Sequence, residues 1–148
     1  TIYVVMNLGL FSCLLMLKRN NKYYETLDDL SGLSKKHPLL SLCLLVALFS
    51  LAGIPPLAGF FAKFYIFKAV IEQSMYFLAI VGLLSTVIAA FYYLRIIKII
   101  YFDEEREKYD EDHSFWLKFS LSVSTILILI YFIFPGQIID VVSKINII

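Results

Sequence analysis

The sequence predicts an all-α, multi-span membrane protein. Of its 148 residues 60% are hydrophobic and the mean hydropathy is +0.80, well above the apolar share usual for a soluble domain. Residues 1–17, 38–62, 73–94 and 119–139 contain no Asp, Glu, Lys or Arg. A helix that crosses about 30 Å of hydrocarbon needs roughly 20 apolar residues. Three of the runs reach that length, and one of them is interrupted by glycine and two prolines.

Taken in order, the first segment is expected over about residues 1–17, ending at Lys18-Arg19. It starts at Thr1 without a basic region or a cleavage site, so it reads as a span cut short, with more chain expected before it, rather than as a signal peptide. The polar stretch Asn20–His37 reads as a loop. The second segment starts at Pro38, where a missing N–H costs a helix nothing, and runs to about Ile71. Glu72-Gln73-Ser74 forms a turn, the third segment covers about 75–100, and the acidic stretch Asp103–His113 forms another loop. The fourth segment spans about 115–134, closed by Pro135-Gly136. All 148 residues read as part of one transmembrane domain.

Charge orients these segments. Lys18, Arg19, Lys22, Lys35 and Lys36 lie in the first loop region, and Arg95, Lys98, Arg106, Lys108 and Lys118 in or beside the third. Basic residues accumulate on the cytoplasmic side, so both regions are expected there, with the second turn and the C-terminal end opposite. The cations flank apolar runs instead of forming a basic face, which argues against nucleic-acid binding. The acidic stretch lacks the central glycine of a calcium-binding loop. Cys13 and Cys43 lie inside apolar runs and read as small buried hydrophobes. No CxxC, HExxH, P-loop or GxGxxG pattern occurs.

The second segment carries the chemistry. Its 34 residues would extend about 51 Å as a straight helix, beyond the hydrocarbon thickness. Near its middle lies Ala52-Gly53-Ile54-Pro55-Pro56. Each proline lacks the N–H that would bond four residues back, so the carbonyls of Leu51 and Ala52 lose their helical partners. Interrupted helices are tolerated at membrane depth where they line a hydrated cavity or are buried in protein, and they recur beside ion sites in transporters. Lys63 follows seven residues after Pro56 and nine before Glu72, among Phe60, Phe61, Phe64 and Tyr65. A lysine near the bilayer centre costs roughly 2.5–3.5 kcal/mol on insertion scales and so faces a cavity or a partner. Leaving water disfavours the ammonium relative to the neutral amine, which suits such a lysine to gaining and losing a proton. Its own segment offers no carboxylate partner. Lys68, closer to the turn, can snorkel to the interface. Asn7, Ser50, Ser85, Thr86, Ser122, Ser124 and Thr125 are the other polar residues inside spans; most are expected to bond back to their own helix.

The run Leu51-Ala-Gly-Ile-Pro-Pro-Leu-Ala-Gly-Phe-Phe-Ala-Lys-Phe-Tyr65 resembles the broken-helix signature of the antiporter-like subunits of respiratory complex I. Met6-Asn-Leu-Gly-Leu-Phe11, Asp29-Leu-Ser-Gly-Leu33 with Pro38, and Phe91-Tyr-Tyr-Leu-Arg-Ile96 match in the same order, covering nearly the whole chain. Within that group the resemblance favours the N-type subunits of NADH–quinone oxidoreductase. It implies a fourteen-helix fold with inverted repeats, of which this chain supplies the C-terminal part. It implies Lys63 as a proton relay, with Gly53, Pro55 and Pro56 shaping the break. Other membrane-arm subunits, lipid and protons are the implied partners, in a bacterial or mitochondrial inner membrane. NADH, flavin, iron–sulfur centres and quinone would be handled by other subunits, with no cofactor in this chain. A subunit of a multi-subunit Na⁺/H⁺ antiporter and a structural assembly subunit are the alternatives.

Overall fold

The computed structural model describes residues 2–19, 22–23, 26–104 and 115–133. Most of the acidic stretch that ends at His113, and the Pro135-Gly136 end signal, lie outside them. The chain folds into helices α1 (Ile2–Met16), α2 (Leu33–Lys36), α3 (Pro38–Ala52), α4 (Ala58–Glu72), α5 (Tyr76–Phe102) and α6 (Phe115–Ile133), with a 3₁₀ turn at Leu27–Leu30. A two-residue ladder pairs β1 (Lys18–Arg19) antiparallel with β2 (Lys22–Tyr23); it brackets Asn20-Asn21 in the sequence.

Helix α5 is long and apolar enough to cross a membrane by itself. Its most apolar window has a mean hydropathy of 2.2, and only 6% of that window is buried within the chain. Phe77 is 81% exposed. A helix apolar on every side, left open by its own chain, needs lipid or further protein around it. Helices α3 and α4 hold 15 residues each, about 22 Å apiece, so neither crosses 30 Å without the other.

The largest core lies at one end of the bundle. Cys13, Met16 and Leu17 of the first helix region meet Leu40, Leu44 and Leu48 of α3, Ile97, Ile99 and Ile100 of α5, and Leu121 of α6. Leu30 and Leu33 complete it, and here the reading of 20–37 as a simple polar loop needs correction. The span Thr26–Lys36 is a folded cap. The Asp29 carboxylate accepts from the Thr26 backbone N–H at 2.9 Å and from its hydroxyl at 2.6 Å, and the Asp29 N–H donates back to the Thr26 carbonyl at 3.3 Å, which together fix the 3₁₀ turn. Gly32, at φ 68°, turns the chain and donates its N–H to the Ile99 carbonyl at 3.2 Å. The Ser31 hydroxyl donates to the Glu104 carbonyl at 2.6 Å. These contacts bring the first loop region and the end of α5 to the same end of the molecule. Because Leu30 and Leu33 belong to a polar segment, their burial removes them from water, worth about 1.5–3 kcal/mol each.

Helix α6 lies chiefly against α1, through small and hydroxyl residues. The Ser12 hydroxyl donates to that of Ser120 at 2.8 Å, and Ser124 Oγ donates to the Val5 carbonyl. A Cβ added at Gly9 would stand 2.6 Å from Ser124 Oγ. Apolar burial drives little helix association in lipid, where close backbone approach and cross-helix hydrogen bonds carry more of it. The expectation that span hydroxyls bond their own helix holds for Ser85, to the Val81 carbonyl, and for Thr86, to that of Leu83. It fails for Ser124, whose partner is on another helix. Gly9→Val is therefore expected to destabilise the full-length subunit by about 1–3 kcal/mol, seen as a lower midpoint in thermal denaturation.

Candidate functional site

The site forms where α3 stops and α4 begins. Gly53 takes a left-handed conformation, φ 84° and ψ 34°, which a residue with a Cβ adopts at a cost of about 1–2 kcal/mol. Its N–H reaches the carbonyls of Phe49 at 3.1 Å and Ser50 at 3.0 Å, and the Ile54 N–H returns to Phe49 at 3.1 Å. This glycine-terminated ending satisfies the carbonyls of Phe49 and Ser50. It does nothing for the next two, Leu51 and Ala52. In a continuing helix those would receive the N–H groups of residues 55 and 56, which are prolines. Pro55 and Pro56 sit exposed in the connecting turn, joined by a cis peptide.

Lys63 supplies the missing donors. Helix α4 starts at Ala58, and about 7.5 Å along it the Lys63 side chain turns back across the break. Its ammonium donates to the Leu51 carbonyl at 3.0 Å and to the Ala52 carbonyl at 3.1 Å. The partners of this lysine are thus backbone oxygens of the preceding half-helix. The same carbonyl end carries roughly half a negative elementary charge from the α3 dipole, which matches the cation. Gly53 leaves room for the stem: a Cβ there would stand 3.0 Å from Lys63 Cδ and 3.2 Å from Nζ.

Two residues that sequence reasoning did not single out hold the half-helices together. Gly59 lies so close to α3 that an added Cβ would collide with the Ser50 carbonyl oxygen. Its N–H donates to Ser50 Oγ at 3.1 Å, and the Ser50 hydroxyl in turn donates to the Met6 sulfur at 2.8 Å. The available signal was the small pair Ala58-Gly59, one residue beyond the prolines, both buried. Met6, Leu51 and Ile128 form a second core beside this contact, and the Phe61 and Tyr131 rings, 5.7 Å apart, link α4 to α6.

A cleft of about 480 Å³ runs from the break along α4 and α5. Gly53 and Lys63 lie on it at one end and Lys68 and Glu72 further along, with Thr86 opposite on α5. That volume has room for on the order of ten waters, while Phe60, Phe64 and Phe67 line it with aromatic surface. The Lys68 ammonium and Glu72 carboxylate, one turn apart, are 3.8 Å from each other and well exposed. Gly82 of α5 admits the Phe67 ring at a distance where a Cβ would meet it at 2.8 Å.

An interrupted helix whose free carbonyls are held by a lysine, among helices that leave their apolar faces open, places the chain among integral membrane proteins. The chain belongs to the NADH:quinone oxidoreductase/Mrp antiporter transmembrane family, whose model matches residues 1–89. Over all 148 residues it is 78% identical to NADH-quinone oxidoreductase subunit N of Pelagibacter ubique (strain HTCC1062), covering 31% of that protein. It is 43% identical over 139 residues to subunit N of Rhodospirillum rubrum, which takes in 94% of this chain and 28% of that one. Among solved structures it is similar to a chain of respiratory complex I from Thermus thermophilus with bound Aureothin. That match has a TM-score of 0.78 and 27% identity, and covers 94% of this chain and 32% of the other. The chain thus spans about a third of the length of the relatives it matches.

Proposed function

We propose that this chain forms the C-terminal part of a proton-translocating subunit in the membrane arm of a bacterial NADH–quinone oxidoreductase. In this reading it contributes four transmembrane segments, α1, the broken pair α3–α4, α5 and α6, to a fourteen-helix inverted-repeat fold. It docks against other membrane-arm subunits and binds no NADH, flavin, iron–sulfur centre or quinone itself. The observation that carries the reading is the Lys63 ammonium resting on the two carbonyls orphaned by Pro55 and Pro56, at the head of a cleft.

The chemistry follows from counting donors. A lysine ammonium has three N–H groups, and the two carbonyls take two of them. The third is left for a water or another acceptor in the cleft. After that proton departs, the neutral amine still has two N–H groups for the same carbonyls and a lone pair that can accept the next proton. Both protonation states therefore fit one geometry. Gly53, Pro55 and Pro56 create the carbonyl pair and Lys63 exchanges the proton.

The test is NADH-driven proton uptake into vesicles containing the whole complex. Lys63→Ala in the full-length subunit should reduce proton uptake per NADH oxidised while the subunit remains in the complex. Unchanged uptake per NADH would sink the relay role. The family description also names Mrp antiporters, so a Na⁺/H⁺ antiporter subunit is the second reading. It would show Na⁺-driven proton exchange with no requirement for NADH.

A further inference from the structure

We propose that the pocket where α1, α3 and α6 meet binds an anionic phospholipid, its phosphate held by Lys36, His37 and Lys118 and one acyl chain lying below. The pocket, about 420 Å³, is bounded by the end of α1, the start of α3 and the first turns of α6. Its lining includes Lys36, His37 and Lys118, of which Lys36 and His37 also interact within the chain. Leu39, Leu40 and Leu121 extend the lining with apolar surface. The 15-residue helix α3 also begins here, so the positive end of its dipole faces the same space.

Depth distinguishes a lipid from a soluble anion. Phe115 and Trp116, at the start of α6, are 72% and 75% exposed with rings 6.0 Å apart in edge contact. Exposed aromatics beside Lys118 mark the headgroup level of a bilayer. Lys118 and Leu121 lie three residues apart on α6, as do His37 and Leu40 at the start of α3. On each helix the pocket therefore passes from a nitrogen-bearing side chain to an apolar one within about one turn, or some 5 Å. That step matches a phosphate joined to an acyl chain, while a free phosphate would use only the rim. The same end of the molecule carries the basic loop regions, and basic pockets between helices on the cytoplasmic side suit anionic headgroups.

The experiment uses the full-length subunit in its assembled complex, with a phosphatidylglycerol carrying a photoactivatable group on one acyl chain. Labelling is expected within residues 39–43 and 121–122, suppressed by excess unlabelled phosphatidylglycerol but not by phosphatidylcholine or inorganic phosphate. The double substitution Lys36→Gln, Lys118→Gln should lower labelling on the order of tenfold or more, and Lys118→Arg, which keeps the charge, should label as the unmodified protein does. Equal suppression by phosphatidylcholine would reduce the pocket to ordinary lipid contact and overturn the proposal. So would suppression by inorganic phosphate, loss of labelling in Lys118→Arg, unchanged labelling in the double variant, or cross-linking of the pocket to another protein segment.

Discussion

Lys63→Arg is expected to leave the subunit assembled and thermally stable while lowering proton uptake per NADH about as far as Lys63→Ala does. The two substitutions separate two roles that one side chain combines. As a structural cap, Lys63 satisfies the Leu51 and Ala52 carbonyls, and hydrogen bonds to a charged group are worth about 1.5–3 kcal/mol each. Alanine removes both bonds from the two part-buried carbonyls, so it should lower the denaturation midpoint as well as transport. A guanidinium can still donate to both carbonyls, but it remains protonated under all working conditions. Arginine therefore keeps the cap and removes the proton exchange. Proton uptake in the arginine variant near that of the unmodified complex would identify Lys63 as a cap alone. Loss of the arginine variant from the complex would show instead that the cap needs the narrower ammonium beside Gly53.

How much of this could be read in the sequence depends on the range of each interaction. The orphaned carbonyls are local: a proline at position i empties the acceptor at i−4, so Pro55 and Pro56 point to Leu51 and Ala52 without any knowledge of the fold. The destination of the lysine is not local. Lys63 reaches those carbonyls because residues 53–57 turn α4 back against the end of α3, and a backbone acceptor brought up by the fold leaves no mark in the residue types around the lysine. Leu30 and Leu33 escaped notice for a different reason. Their three-residue spacing is visible in Leu27–Leu33, but the surrounding charges suggest a solvated loop, and the surface that buries them comes from distant parts of the chain, α3 and the end of α5 among them. Ser50 is one span hydroxyl among several in the sequence, and its tie to Gly59 exists only once the half-helices are packed.

Gly59 carries the other large expected effect. Gly59→Val should abolish stable incorporation of the subunit, read as loss of its band from the complex on native gels and a collapse of proton uptake. The collision is with the Ser50 carbonyl oxygen, part of the α3 backbone, so no side-chain rotation relieves it. Overpacking a well-filled core typically costs about 1–3 kcal/mol; here the half-helices must also move apart, breaking the Gly59-to-Ser50 bond and drawing Lys63 away from Leu51 and Ala52. The effect should therefore exceed that range. Ser50→Ala provides the comparison, since it removes the hydroxyl that accepts from Gly59 but keeps the close approach. It should cost about 1–3 kcal/mol for the unpaired buried N–H and retain much of the transport. If Gly59→Val assembled and pumped as well as Ser50→Ala, the close seating of α4 on α3 would not be what aims the lysine. The preferred arrangement would then be a looser break, in which Lys63 finds the carbonyls through the flexibility of its own stem.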